Sequence, residues 1–222
     1  MFTKGIKFGN IHSFDDLNLI LSSTDIPPAT PKETHVDVPG GNGSLDLTEA
    51  HGEVKFKDRE GCKFIFTMNP SDDLSNEGYE EKKKEVSNAL NGKYFEKITL
   101  DKDDGYYYSG RCKVDQYLSN KRIRQFVITA RLKPYKLKQS ETVMKYKLLS
   151  TEKTVTMMNG RKSIIPKIIC TDDNTKIIFG EIEKTLSAGT HQILDIQFKE
   201  GANVLKLSGS GTITFVYREG EL

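Results

Sequence analysis

Three adjacent acidic pairs, Asp72–Asp73, Asp103–Asp104 and Asp172–Asp173, are the first residues in this sequence that could do chemistry. Two carboxyls held roughly 5–10 Å apart can cleave a glycosidic bond. Neighbours in flexible turns do not hold that separation rigidly, so turn formation is their expected role. Asp101, Asp103 and Gly105 share part of a calcium-loop spacing but lack the loop's terminal Glu. Pro39-Gly40-Gly41-Asn42-Gly43 is glycine-rich. A phosphate cradle needs a helix after such a loop, so that free helical amides face the anion. Here an alternating apolar pattern follows, with no Gly-Lys-Ser/Thr. Lys121-Arg122-Ile123-Arg124 is the densest arginine cluster, with Tyr117 and Phe126 nearby. A solvated strand or a charged subunit interface is expected there ahead of a nucleic-acid surface. The chain has no Trp, so a saccharide platform would fall to Tyr106-Tyr107-Tyr108 and Tyr217. On a strand Tyr106 and Tyr108 face one side and Tyr107 the other, so at least one packs in a core.

The remaining reactive side chains are scattered. Cys62, Cys112 and Cys170 form no CxxC, and His12, His35, His51 and His191 form no HxH or HxxxH. They read as reduced thiols and isolated imidazoles, and no catalytic, cofactor-binding or metal residue is assigned. Of the 222 residues, 33 are basic and 31 acidic. Split after Leu137, the first part holds 21 of each and the second 12 and 10, so neither carries the excess of a polyanion or membrane binder. Hydrophobic residues make up 36% and charged residues 29%, with a mean hydropathy of −0.52. No apolar run is long enough to span a bilayer. Met1-Phe2-Thr3-Lys4-Gly5 lacks the apolar stretch of a signal peptide, so export by that route is not expected. The length admits two domains or one large all-β unit.

The elements that would position these residues are mostly strands. Ile6, Phe8 and Ile11 flank a Gly9–Asn10 turn, and Leu17, Leu19 and Leu21 alternate. Ile26 to Pro31 holds three prolines and cannot lie inside a sheet. Thr34–Val38 and Ser44–Thr48 alternate on either side of the Gly-rich tip, which predicts a β-hairpin over about 34–48. Strands are expected at 52–58, with Val54 and Phe56, and at 62–68, with Phe64 and Phe66. One helix is expected at about 77–91: Ser75–Asn76 offers a cap, Glu77, Glu80 and Glu81 suit its N-terminal end, and Gly92 stops it. Lys82-Lys83-Lys84 reads as a solvated face, with Glu80 and Lys84 as an i, i+4 pair. Strands follow at 95–100, 106–114 and 121–132, the last slipping register near Arg124–Gln125 as at a bulge. Lys133-Pro134-Tyr135-Lys136 marks a boundary between domains at 1–137 and 138–222. The second part shows short strands, including one at 190–198, with turns at roughly ten-residue spacing, as in a sandwich or jelly roll.

In their order, these pieces resemble the distal tail protein (Dit) family of long-tailed, non-contractile bacteriophages and prophages. The resemblance rests on Phe14 to Leu19, Pro28 to Lys32, and Val38 to Asp46 as a V-P-G-x-x-G-x-x-D hairpin. It extends through the helix ending at Asn91–Gly92, then Leu186 to Gly189, Gly201 to Leu205 and Gly209 to Arg218. It implies a mainly β fold with one helix: an N-terminal antiparallel β-sandwich domain with a projecting hairpin, plus a C-terminal galectin-like or carbohydrate-module-like β-sandwich. It implies a structural, non-enzymatic protein of the virion tail, assembled in the bacterial host cytoplasm and needing no cofactor. Its partners would be itself, as a homo-hexamer ring, the tail-tube protein, and a tail-tip or fibre protein. DNA would only pass through the channel, and no membrane is involved. The inter-subunit contact would fall on Val38, Pro39, Gly40, Gly41, Asn42, Gly43, Leu45 and Asp46. The alternative is a module that binds a host cell-wall saccharide. A hydrolase has no Ser-His-Asp, Cys-His or zinc constellation to support it.

Overall fold

The computed structural model describes residues 5–50, 52–120 and 123–222. Met1–Lys4, His51, Lys121 and Arg122, on which parts of the reading above fall, lie outside the described residues. The chain divides into two compact units, Met1–Lys136 and Leu137–Leu222. It is mainly β, built of antiparallel strand pairs, with a single α-helix among the described residues.

In the first unit the strands are β1 (Ile6–Phe8), β2 (Ile11–His12), β3 (Leu19–Asp25), β4 (His35–Asp37), β5 (Ser44–Asp46), β6 (Arg59–Met68), β7 (Tyr94–Leu100), β8 (Tyr106–Ser119) and β9 (Arg124–Leu132). Seven of them run in the order β2-β1-β7-β8-β9-β6-β3. Alternation on β6 sends Cys62, Phe64, Phe66 and Met68 inward. Phe8 lies 6.0 and 6.3 Å from Phe64 and Phe66, edge to face. Three strands separate β1 from β6 in the sheet, so the sheet curls back on itself around this aromatic core.

Helix α1 (Asn76–Leu90) closes that core with Tyr79, Val86 and Leu90. The Ser75 hydroxyl accepts from the Gly78 amide at 3.1 Å, and Asp73 braces the cap by accepting from the Ser75 amide and hydroxyl. Those two bonds hold the Asp73 carboxyl below its usual range. Gly92, at φ +72°, takes the chain out of the helix. The lysine run is solvated only in part: Lys84 is exposed, while Lys82 and Lys83 are half-buried. Lys82 reaches the Leu17 carbonyl, Asp72 and Glu85, while Glu80 pairs with Lys83 rather than Lys84.

In the second unit, β11 (Thr142–Lys147), β13 (Lys167–Cys170), β16 (Gly189–Gln192) and β18 (Thr212–Tyr217) form one sheet, in the order β11-β18-β13-β16. The other sheet is β12-β17-β14-β15, from β12 (Lys153–Asn159), β14 (Thr175–Phe179), β15 (Ile182–Leu186) and β17 (Gly201–Ser208). Short β10 (Lys136–Lys138) pairs with the terminal β19 (Gly220–Glu221). Phe198, Phe215, Ile168, Ile177, Leu205 and Leu207 fill the interior.

Several expected boundaries move. Residues 52–58 are not a strand, because only Phe56 makes a bridge, to Pro31. Leu17 sits in a turn that ends at Asn18, φ +49°. The β8–β9 register shifts at Val114/Gln116 on β8, not at Arg124–Gln125. The expected 190–198 strand stops at Gln192, where a turn closed by the Ile196 amide on the Ile193 carbonyl intervenes.

Candidate functional site

Among the described residues, β4 and β5 pair only with each other, with Val36 opposite Leu45, His35 opposite Asp46 and Asp37 opposite Ser44. By strand alternation Val38 and Leu47 join Val36 and Leu45 on one face. These four side chains remain 50, 37, 47 and 53% exposed, respectively. Every residue from Lys32 to Leu47 is exposed. At the tip the Gly41 amide donates to the Val38 carbonyl at 3.0 Å. Gly40 and Gly43 occupy left-handed φ values of +77° and +79°, which a β-carbon would strain. Residues Val38 to Gly43, Leu45 and Asp46 thus belong to an amphipathic finger whose outer backbone edges have no strand beside them among the described residues.

A lone two-stranded hairpin is marginal in water, so its legs must be held. The Leu47 amide donates to the Thr34 carbonyl at 2.8 Å, and the Thr34 amide to Thr48 Oγ1 at 3.0 Å. Thr48 also donates to Asp46, which lowers the Asp46 pKa, with His35 adding a smaller pull. Further down, Lys32 and Lys57 amides donate to the carbonyls of Lys55 and Thr30 around the Pro31–Phe56 bridge. Phe56 packs edge to face on Tyr135, centroids 5.9 Å apart. Beneath it lies Arg59, 5% exposed, donating to the carbonyls of Pro134 (2.9 Å) and Pro27 (2.6 Å) and facing the Tyr108 ring. Sequence reasoning passed over Arg59. Its only signal was a lone Arg after a proline-rich segment.

The other sequence candidates are absorbed by the fold. No helix follows the Gly-rich tip; β5 does. Asp72 is bonded by Asn18, Asp101 by the Gly5 amide and His12, Asp103 by Lys136, Asp172 by Thr171 and Asp173 by the Ala188 amide. Arg124 reaches Asn76, Ser119 and the Leu74 carbonyl, and stands over the Tyr79 ring. Tyr107 is buried, and Tyr217 turns inward with its hydroxyl on the Met158 carbonyl. Burial pushes the thiols of Cys62 and Cys112 up to about 11 and about 12, and raises Cys170, which leaves them protonated and unreactive. A groove of about 650 Å³ lies over β6, β8 and β9. Its Arg131 pairs with Asp58 and Glu60, and its Lys133 with Asp58. Among the described residues, no group of three or more His, Cys, Asp or Glu is placed to hold a metal ion.

No family model matches this chain, and no curated protein matches it. The likeness lies in three dimensions: the chain has the fold of a phage adsorption-apparatus protein. That protein is SPP1 Dit (gp 19.1), whose crystal structure is described as a paradigm of the hub adsorption apparatus in phages infecting Gram-positive hosts. The similarity covers 98% of this chain and 99% of that one, with a TM-score of 0.70 and 12% sequence identity.

Proposed function

We propose that this chain is a phage distal tail protein, a structural hub in the virion tail that works by assembly rather than turnover. Six copies would close a ring joining the tail tube to the tail-tip or fibre proteins, with DNA passing through its centre. The observation that carries this reading is the finger from Lys32 to Leu47, apolar on one face and anchored at a fixed base. A finger that reaches the next copy is a head-to-tail contact, and such contacts close into rings when the rotation permits. Its free backbone edges and its Val36, Val38, Leu45 and Leu47 face gain partners only in an assembly. The Dit fold across the whole chain supports the same reading.

Light scattering over a concentration series tests it. The expected species has six times the 25.1 kDa chain mass, alone or after mixing with the neighbouring tube and tip proteins. A chain that stays monomeric under both conditions overturns the proposal.

A further inference from the structure

An asparagine followed by glycine carries its own reaction. The glycine nitrogen, with no side chain crowding it, can close a cyclic imide on the asparagine Cγ and expel ammonia. This sequence has three such steps, Asn42–Gly43, Asn91–Gly92 and Asn159–Gly160. The fold treats them differently.

Two of the steps are held shut. Asn91 follows the last residue of α1. The Gly92 amide, which would have to attack, already donates to the Cys112 carbonyl at 2.9 Å. Asn91 Oδ1 accepts from the Val114 amide at 3.0 Å, which pins the carboxamide to β8. Asn159 ends β12 and is 6% exposed. Its Nδ2, the group that would leave, donates to the carbonyls of Lys162, Phe198 and Lys199 at 2.9, 3.2 and 3.4 Å. Gly160 lies so close to Gly220 that a β-carbon would meet the Gly220 carbonyl oxygen at 2.9 Å, which leaves the step little room to rotate.

Asn42–Gly43 is open. Both residues are exposed at the tip of the finger. Among the described residues, neither the Asn42 carboxamide nor the Gly43 amide has a hydrogen-bond partner. A β-carbon on Gly43 would meet nothing within 4 Å. The tip bond from the Gly41 amide to the Val38 carbonyl lies before this step, and strand pairing resumes only at Ser44. A segment with so few contacts samples other backbone angles at small cost, so ring closure needs no unfolding.

We propose that Asn42 is a self-modification site. The Gly43 nitrogen gives its proton to solvent base, bonds to Asn42 Cγ and releases Nδ2 as ammonia. Water then opens the imide at either carbonyl, leaving aspartate or isoaspartate at position 42. One water is consumed for each ammonia released, and nothing is oxidised or reduced. Either product adds a carboxylate, and isoaspartate also routes the main chain through Cβ, lengthening the tip by one carbon. The segment between Lys32 and Lys55 holds Glu33, Asp37, Asp46, Glu49 and Glu53 but no Lys or Arg, so none of its own side chains neutralises the new charge with an ammonium or guanidinium. The reaction belongs to the single chain and does not rest on the assembly proposed above.

The test incubates the full chain in mildly alkaline buffer made with heavy-oxygen water, at dilutions where light scattering gives a single copy. Digestion follows in ordinary water, so heavy oxygen marks only what formed beforehand. Trypsin releases Glu33–Lys55, in which Asn42 is the only side-chain amide. This peptide should gain a heavy-oxygen carboxyl at least tenfold faster than the peptides carrying Asn91 and Asn159. Part of the product should be isoaspartate, read by enzymatic methylation of its carboxyl group. In denaturant the three rates should converge to within threefold. Asn42→Ser should remove the early ammonia and leave the melting curve unchanged. Equal rates in the folded chain, a lead for Asn42 that persists undiminished in denaturant, or a product without isoaspartate overturns the proposal.

Discussion

The guanidinium of Arg59 donates to the carbonyl of Pro27 at 2.6 Å, tying the first core strand after the finger to the proline segment that leads into it. A second bond from the same group holds Pro134. Lysine cannot replace this fork, because a single ammonium does not reach two carbonyls in fixed directions. Arg59→Met strands both acceptors in a nearly dry site. It should cost about 2–4 kcal/mol, at 1.5–3 per bond to a charged group with partial rescue by water. Denaturant unfolding checks it, and Arg59→Lys should recover less than half of the loss.

Val36 and Leu45 sit opposite each other on the finger and leave half their surface in water. Val36→Asp with Leu45→Asp should change the melting of the isolated protomer little, within about 0.5 kcal/mol, as surface changes do. The same pair should abolish the assembled species in light scattering, since two carboxylates would enter an apolar contact. An assembly that survives the double variant removes the finger from the interface.

Gly110 is a strand glycine with an ordinary backbone angle, yet a β-carbon there would meet the Arg131 carbonyl oxygen at 2.2 Å and the Leu132 α-carbon at 2.9 Å. Both obstacles are backbone, so the β8–β9 pair must separate to admit it. Gly110→Ala should destabilise the first unit by about 1–3 kcal/mol, as overpacking does. Gly105→Ala, where nothing lies within 4 Å, should be near neutral. Thermal melts of the two variants make the comparison.

Burial, then the charges of Glu219 and Tyr146, pushes the Tyr217 phenol from 10.0 to about 12. The native state therefore holds this proton after the unfolded chain has lost it. The stability linked to it is complete below about pH 10 and drains as pH rises towards about 12. Phenolate absorbance should show Tyr217 among the late-titrating tyrosines, since burial also raises Tyr79 and Tyr108. Tyr217→Phe should reduce the late-titrating amplitude by one phenol and make the alkaline decline of the melting temperature shallower.

The hairpin and the helix were legible because their signals are local. A Gly-rich tip between alternating arms, and a Ser75 cap with a Gly92 stop, each lie within a short window. Residues 52–58 misled because Val54 and Phe56 alternate for another reason: Phe56 bridges Pro31 and packs on Tyr135. β11 and β15 escaped notice because they are edge strands, β11 sharing its alternation with lysines and β15 with charged residues. Arg59 depends on long-range contacts, to Pro27 and Pro134.

The exposed run from Lys32 to Leu47 also sets a clock. Extended, polar-tipped loops are where proteases first cut a folded chain. If the finger is the contact between copies, as proposed, each free copy carries its own cleavage site in the segment that assembly needs. On that proposal, a copy left out of an assembly would lose its finger and could no longer join one, so proteolysis would remove laggards while sparing the finished structure.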